Sequence, residues 1–231
     1  YRSADAVVAV TKPFCEHIDA IRGKPPATRL IPNGTLEQFF ADTDRDRLGV
    51  PDDRFLVTFA GTLGIAQALP AALEGAARVN GDAEFSFVGE GPVKQLLEEQ
   101  ARGLDNVHFH AQIPLRSITP VLAGSDALLV TLSAHPTFRQ FVPSKLIDFM
   151  AVGRPVILAA AGESAELLEL AGGGIVVPPE DPDALADAVR WLRAHPEEGA
   201  EMGRRGREFA RTRLRSSLAA ELEDVLLEVA R

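Results

Sequence analysis

An α/β fold, a parallel sheet covered by helices on both faces, is what the sequence predicts, and three observations carry that prediction. Short runs rich in Val, Ile, Leu and Phe alternate with amphipathic segments of ten or more residues, about six times along the chain. The short runs are apolar throughout, as strands buried on both faces of a sheet must be. With 231 residues, 46% of them hydrophobic, the chain can bury one generous core.

The units follow one another in order. FLVTFAG (55–61) leads to LPAALEGAARV (69–79), EFSFVGEG (84–91) to PVKQLLEEQARG (92–103), and NVHFHA (106–111) to PLRSITPVLAG (114–124). DALLVTL (126–132) leads to PSKLIDFMAVG (143–153), RPVILAA (154–160) to ESAELLELAGG (163–173), and GIVVPP (174–179) to PDALADAVRWLRAH (182–195). Glycines at 103, 124, 153 and 172–174 read as helix ends, with Pro155 a stop signal soon after Gly153. From His195 to Arg231 the pattern is helical and charged, with six arginines between Arg204 and Arg215. The run ADAVVAVT near Tyr1 reads as a strand entered almost at once, so the sequence is expected to begin inside a longer protein with an upstream domain.

Charge and cysteine usage narrow the function. The 33 acidic and 24 basic residues give a formal charge of −9, which argues against nucleic acid as a partner, so an anionic ligand must be held locally. Twenty of the basic residues are Arg and four are Lys, which singles out Lys145. Cys15, the one cysteine, permits no internal disulfide, fits a reducing cytoplasm, and reads as a packing residue beside Phe14. No apolar stretch approaches the roughly 20 residues a membrane crossing needs.

In open parallel sheets ligands sit where strands end and helices begin. Three such turns stand out: FAGTLGIAQ, FVGEGP and SAHPTFRQFVPSK. None carries the full dinucleotide or P-loop fingerprint. In the third, Pro143 suits a helix start, Ser144 is expected to cap free amides, and those amides with the helix dipole form an anion site beside Lys145. Asp148 follows at helical spacing, where a carboxylate accepts hydrogen bonds from sugar hydroxyls. The competing reading is an ordinary surface Lys–Asp pair contributing about 0.3 kcal/mol.

The order IPNGTLEQF (31–39), FAGTLGIAQ, FVGEGP, NVHFHAQIPL, PSKLIDFMAVGRPVILA, GESAEL and GGGIVVPPEDPDALADAV resembles the group 1 glycosyltransferases, glycosyltransferase family 4, in their bacterial surface-polysaccharide branch. The resemblance covers nearly the whole chain. It implies the C-terminal, Rossmann-like, donor-binding half of a GT-B enzyme. The expected layout is 1–22 as the end of the N-terminal domain or an interdomain segment, 23–195 as the nucleotide-sugar-binding domain and 196–231 as C-terminal helices. It implies a retaining hexosyl- or N-acetylaminosugar-transferase that needs no metal or other cofactor and takes an NDP-sugar, UDP-sugar foremost. Its acceptor would be a glycan or polyprenyl-linked saccharide. This half alone would be inactive, since acceptor residues, including a family-typical histidine, would lie upstream. The expected location is cytoplasmic, with peripheral contact at the inner membrane face an open alternative.

Carried over position by position, the family's paired glutamates fall on Gln140 and Asp148. Asp148 inherits the ribose contact; Gln140 becomes the candidate near the donor sugar, without charge. The diphosphate-clamping Arg and Lys of many relatives fall on Thr62 and Gln67, both uncharged. The diphosphate is therefore expected to meet backbone amides around Gly61 to Gly64, the helix start at Val142, Pro143 and Ser144, and Lys145, with Arg139 a further contributor. Gly89, Glu90 and Gly91, with Ala111, Gln112 and Ile113, resemble the walls of the base pocket.

Other residues have plainer readings beside functional ones. His108 and His110 alternate on a strand and lack a third metal ligand at suitable spacing. His135 precedes the key helix and stands near the expected donor. Glu163 and Glu166 suit a helix N-terminus. Trp191, spaced with Leu185 and Leu192, reads as core. RRGREFARTRLR reads as a solvated face, or as one resting on anionic lipid. Two rival functions remain open: a GT-B sugar-nucleotide 2-epimerase, and a non-catalytic nucleotide-sugar-binding module.

Overall fold

A computed structural model describes residues 1–23 and 27–230; Arg231, the last residue of the expected helical stretch, lies outside them. The chain opens with β1 (Val8–Ala9), α1 (Lys12–Arg22) and β2 (Arg29–Leu30), the two strands forming a small parallel sheet of their own. Cys15 is buried among Ala9, Ile18, Val7 and Phe14, the packing role expected of it. The expected strand ADAVVAVT is thus two residues long. It pairs with a single short neighbour, so few ladder bonds are available to extend it.

The main body then alternates as expected: β3 (Phe55–Ala60), α2 (Leu69–Arg78), β4 (Ala83–Val88), α3 (Lys94–Gln100), β5 (Val107–His110), α4 (Thr119–Gly124), β6 (Ala127–Thr131), α5 (Ser144–Val152), β7 (Val156–Ala159), α6 (Glu163–Ala171), β8 (Gly174–Val177) and α7 (Pro182–Ala194). The six strands are parallel in the order β5-β4-β3-β6-β7-β8. The chain therefore winds outward from β3 to one edge, returns to the centre at β6, and winds to the other edge. The carboxyl ends of β3 and β6 flank the point of reversal, where such sheets form a crevice.

Alternate residues of each strand enter separate cores. Val57, Phe59, Phe85, Phe87, Leu129 and Ile157 pack against α2, α3 and α7 through Leu73, Leu97, Leu185, Val189 and Leu192. Leu128, Val130 and Leu158 pack on the other face against α4, α5 and α6 through Leu122, Leu146, Met150 and Leu168. Burial on both faces explains why the strands read as unbroken apolar runs.

Two further helices, α8 (Pro196–Arg211) and α9 (Arg215–Val229), close the chain. Packed on α5, α6 and β8, α8 approaches so closely that a Cβ on Gly203 would lie 2.2 Å from the Gly153 carbonyl oxygen. The expected boundaries after residues 22 and 195 fall between elements.

Four local expectations need correction. PLRSITPVLAG is a 3-10 turn (Leu115–Ser117) followed by α4, because Pro120 must occupy a helix's first turn. Gly124 closes α4 from within: a Cβ there would meet the Asp46 carbonyl at 2.2 Å, so contact rather than capping requires glycine. Ser144 makes no capping bond; Pro143 occupies the cap position and Ser144 is exposed. Trp191 is 37% exposed and stacks on His195 at 4.4 Å, on the outer side of a helix whose Leu185, Val189 and Leu192 fill the core.

Candidate functional site

At the carboxyl ends of β3 and β4, a cleft of about 350 Å³ opens. Its floor comes from two turns pressed together. The Gly61 amide donates to the Val88 carbonyl at 2.9 Å, the Leu63 amide to the Glu90 carbonyl at 2.9 Å, and the Gly89 amide to the His110 carbonyl at 3.2 Å. Gly61 and Gly89 have φ of 137° and 149°, and a Cβ on Gly89 would lie 2.0 Å from the Gly61 oxygen, so only glycine permits this approach. The same bonds correct one expectation. Of the amides from Gly61 to Gly64, those of Gly61 and Leu63 are already spent on the neighbouring turn. The Thr62 and Gly64 amides make no such bond among the described residues.

The other wall is α5, buried from Leu146 to Val152. Lys145 enters the cleft from its first turn. Its Nζ is shielded from solvent, has no hydrogen-bond partner among the described residues, and lies 4.0 Å from the centre of the Phe59 ring. A Cβ on Gly61 would stand 2.5 Å from that Nζ, so the glycine also makes room for the ammonium. Burial pushes the Lys145 pKa down to about 8.

Asp148 lies one turn further on and is 8% exposed. Thr35 Oγ1 donates to its Oδ1 at 2.8 Å, and Arg215 Nη2 stands 3.7 Å from Oδ2. Burial pushes its carboxyl up to about 6, against the opposing effects of the Thr35 hydrogen bond and the Arg215 charge. Lys145 and Asp148 make no ion pair with each other; each faces the cleft separately, which removes the reading of an ordinary surface pair.

Of the residues singled out in the sequence, Gly61, Thr62, Gly89, Glu90, Gln112, Ile113, Lys145 and Asp148 line this cleft together. The apolar remainder of the lining includes Ile118, Leu122 and Phe149. Glu90 is held by Lys94 at 2.7 Å.

The other candidates lie elsewhere. Gly91 is pressed on the Leu63 backbone, Gly64 lies beside the Gln67 amide oxygen, and the Gln67 carbonyl accepts from Thr131 Oγ1 at 2.5 Å. Arg139 and Gln140 are exposed on the 3-10 turn Pro136–Gln140, outside the lining. The Val142 carbonyl accepts from Asn33 Nδ2 at 2.9 Å, and Pro143 and Ser144 also lie outside the lining.

His135 caps the 3-10 turn, its Nδ1 accepting from the Thr137 amide. His108 pairs with Glu84 at 2.9 Å, and His110 lies 3.4 Å from Ser86 Oγ. Among the described residues no three His, Cys, Asp or Glu side chains gather as a metal site would require. Glu163 and Glu166 stand in the first turn of α6, where burial and Glu166 raise the Glu163 pKa.

Two site residues escaped the sequence reading. Thr35 lies 113 positions before Asp148, and Arg215 lies in the segment read as a solvated face. The turn signal PNG was visible, but the pairing that brings it under α5 is long-range.

Comparison with known proteins agrees with this architecture. The family described as "Glycosyl transferases group 1" matches residues 54–195. The D-rhamnosyltransferase WbpZ of Pseudomonas aeruginosa is 30% identical over 212 residues, covering 87% of this chain and 53% of that protein. The putative colanic acid biosynthesis glycosyl transferase WcaI of Escherichia coli is 31% identical over 163 residues, covering 66% of this chain and 40% of its own length. This chain thus spans about half the length of the curated relatives it matches. Among solved structures, HepE of Anabaena in complex with UDP-glucose superposes with a TM-score of 0.84 at 19% identity, over 97% of this chain and 64% of that one. The lipopolysaccharide glycosyltransferase WaaG superposes at 0.77 and 17% identity, over 94% and 61%. A six-stranded parallel sheet flanked by helices, a cleft at its switch point and these matches place the chain in the group 1 glycosyltransferase family, with the fold of the GT-B enzymes.

Proposed function

We propose that this chain is the donor-binding half of a retaining glycosyltransferase that moves a sugar from a nucleoside diphosphate to a glycan or lipid-linked acceptor of a bacterial surface polysaccharide. The observation that carries the reading is Lys145: an ammonium shielded from water, without a hydrogen-bond partner among the described residues, at the edge of a cleft at the sheet's switch point. A buried unpaired charge is costly, and a diphosphate is a partner that would offset the cost. The names of relatives support the choice of ligand. HepE is described with UDP-glucose, and WbpZ is named a D-rhamnosyltransferase.

In this reading the acceptor's hydroxyl oxygen bonds to the sugar's anomeric carbon and gives up its proton, while the bond from that carbon to the diphosphate oxygen breaks and its electron pair leaves with the diphosphate. Lys145 and the Thr62 amide stabilise that charge as it develops. Asp148 accepts hydrogen bonds from the ribose hydroxyls, and the base lies between the Gly89–Glu90 turn and Gln112–Ile113. No metal enters the scheme.

The test is calorimetric titration of the full-length protein with UDP, GDP and ADP and their sugars. One nucleoside diphosphate should bind, and at a hundredfold excess over its Kd should stabilise the fold by about 2.7 kcal/mol. Failure of all three to bind refutes the reading. One observation favours the non-catalytic module as second reading: Lys145 is the one cation lining the cleft among the described residues. Donor binding without transfer to any lipid or saccharide acceptor by the full-length protein would support that alternative. For an active protein, the anomeric configuration of the product, read by NMR, decides retention.

A further inference from the structure

The carboxylate of Asp148 is held by two residues distant in sequence. Thr35 is fully buried, and its hydroxyl donates to Asp148 Oδ1 at 2.8 Å. Arg215, at the first position of α9, places Nη2 3.7 Å from Oδ2. Both are locked by backbone. The Thr35 amide donates to the Arg213 carbonyl at 2.9 Å, the Arg215 amide returns a bond to the Thr35 carbonyl at 2.9 Å, and Arg215 Nε donates to the Gly34 carbonyl at 2.8 Å. Gly34 is pressed so close that a Cβ would lie 2.6 Å from the Arg213 oxygen. Asn33 Nδ2 meanwhile donates to the Val142 carbonyl just ahead of α5. The segment 33–35 is therefore a strap joining the α8–α9 junction to the helix that carries Asp148.

We propose that Thr35 and Arg215 are positioning residues for the nucleotide's ribose: together they hold the Asp148 carboxylate ionised and fix which oxygen it turns to the cleft. The proposal rests on the reading that Asp148 contacts ribose. A buried carboxylate with neither partner would take up a proton near neutral pH and turn from acceptor to donor. Thr35 occupies Oδ1 and sets the rotation of the group, while Arg215 supplies positive charge on the side of Oδ2. Among the described residues the other charged groups about this site are Lys145 on the same helix, without a hydrogen-bond partner, and Glu90 across the cleft, already bonded to Lys94.

The test measures, in the full-length protein, the affinity of whichever of UDP, GDP and ADP binds most tightly, and of its 2′,3′-dideoxy counterpart. The ratio of the two affinities reports ribose recognition and cancels a general loss of structure. Thr35→Val, nearly isosteric, should weaken the ribonucleotide about fivefold and leave the dideoxy compound within twofold, collapsing the ratio. Thr35→Ser should restore it. Arg215→Gln, at a half-exposed position, should lower the ratio at least twofold, and the pH midpoint of ribonucleotide binding should move upward in both Thr35→Val and Arg215→Gln. Asp148→Asn should abolish the ratio.

If Asp148→Asn abolishes the ratio while Thr35→Val and Arg215→Gln keep it, the positioning role is refuted and the ribose reading stands. If Asp148→Asn keeps the parent ratio, the ribose reading fails and this proposal with it. Equal weakening of both nucleotides by Thr35→Val would mark a merely structural role and also refute the proposal.

Discussion

Lys145 and Asp148 are both held in the charge state that their surroundings disfavour, and this makes their energetics testable without any ligand. The Lys145 pKa is lowered to about 8, so the folded protein binds fewer protons than the unfolded chain between about pH 8 and the ordinary lysine range. Stability gained from that shift is present at high pH and lost as pH falls through 8, so the full cost is felt at pH 7. Lys145→Met should therefore stabilise the unliganded protein at pH 7, by up to about 3 kcal/mol, in denaturant unfolding. Asp148 runs the other way. Its folded pKa is raised to about 6, so its contribution is present below the ordinary aspartate range and lost as pH rises through 6. Asp148→Asn should raise Tm at pH 8 and change it less at pH 5; a larger gain at pH 5 would contradict the burial argument. In both cases a more stable variant should be a poorer nucleotide binder, as expected where polar groups are kept for a ligand.

At the scale of elements, helix contacts are set by glycines that the sequence displays without explaining. Within α8, a Cβ on Gly203 would strike the Gly153 carbonyl at 2.2 Å, whereas one on Gly199 would meet Leu192 and Pro155 at 3.4 and 3.7 Å, ordinary contact distances. Gly203→Ala should cost about 1–3 kcal/mol by forcing α8 off α5. Gly199→Ala should stabilise by about 0.5–1 kcal/mol through reduced backbone freedom in the unfolded chain. Urea unfolding of the two variants gives opposite signs if the packing is as described. The six βα units were legible because each strand is buried on both faces, which writes a continuous apolar run. What misled was local: Trp191 is six residues from Leu185 and adjacent to Leu192, about 100° round the helix from the core face, and Ser144 looked like a cap but starts the helix itself. Periodicity names a face; it does not fix where the face ends.

For the whole molecule, the order β5-β4-β3-β6-β7-β8 accounts for the cleft's position, since the reversal at β3 and β6 leaves the β3 and β4 turns and the start of α5 to converge there. The chain carries a formal charge of −9, yet its cleft presents Lys145, so the proposed anion would meet this local group rather than a general field. Gly61, Thr62, Gly89, Glu90, Gln112, Ile113, Lys145 and Asp148 were legible as turns and one helix start, because they fall in short stretches that are neighbours in sequence. Thr35 and Arg215 were not, because long-range pairing of the 33–35 strap with residues 213–215 brings them to Asp148. Among the described residues no helix is long and apolar enough to cross a membrane.

The central claim is that the shielded ammonium of Lys145 awaits a diphosphate. Calorimetric titration of the full-length parent and Lys145→Met with the preferred nucleoside diphosphate at pH 7 tests it most directly. Loss of one charge-assisted contact predicts at least a tenfold rise in Kd, corresponding to about 1.5–3 kcal/mol. Parent and variant Kd values within twofold of each other would contradict it.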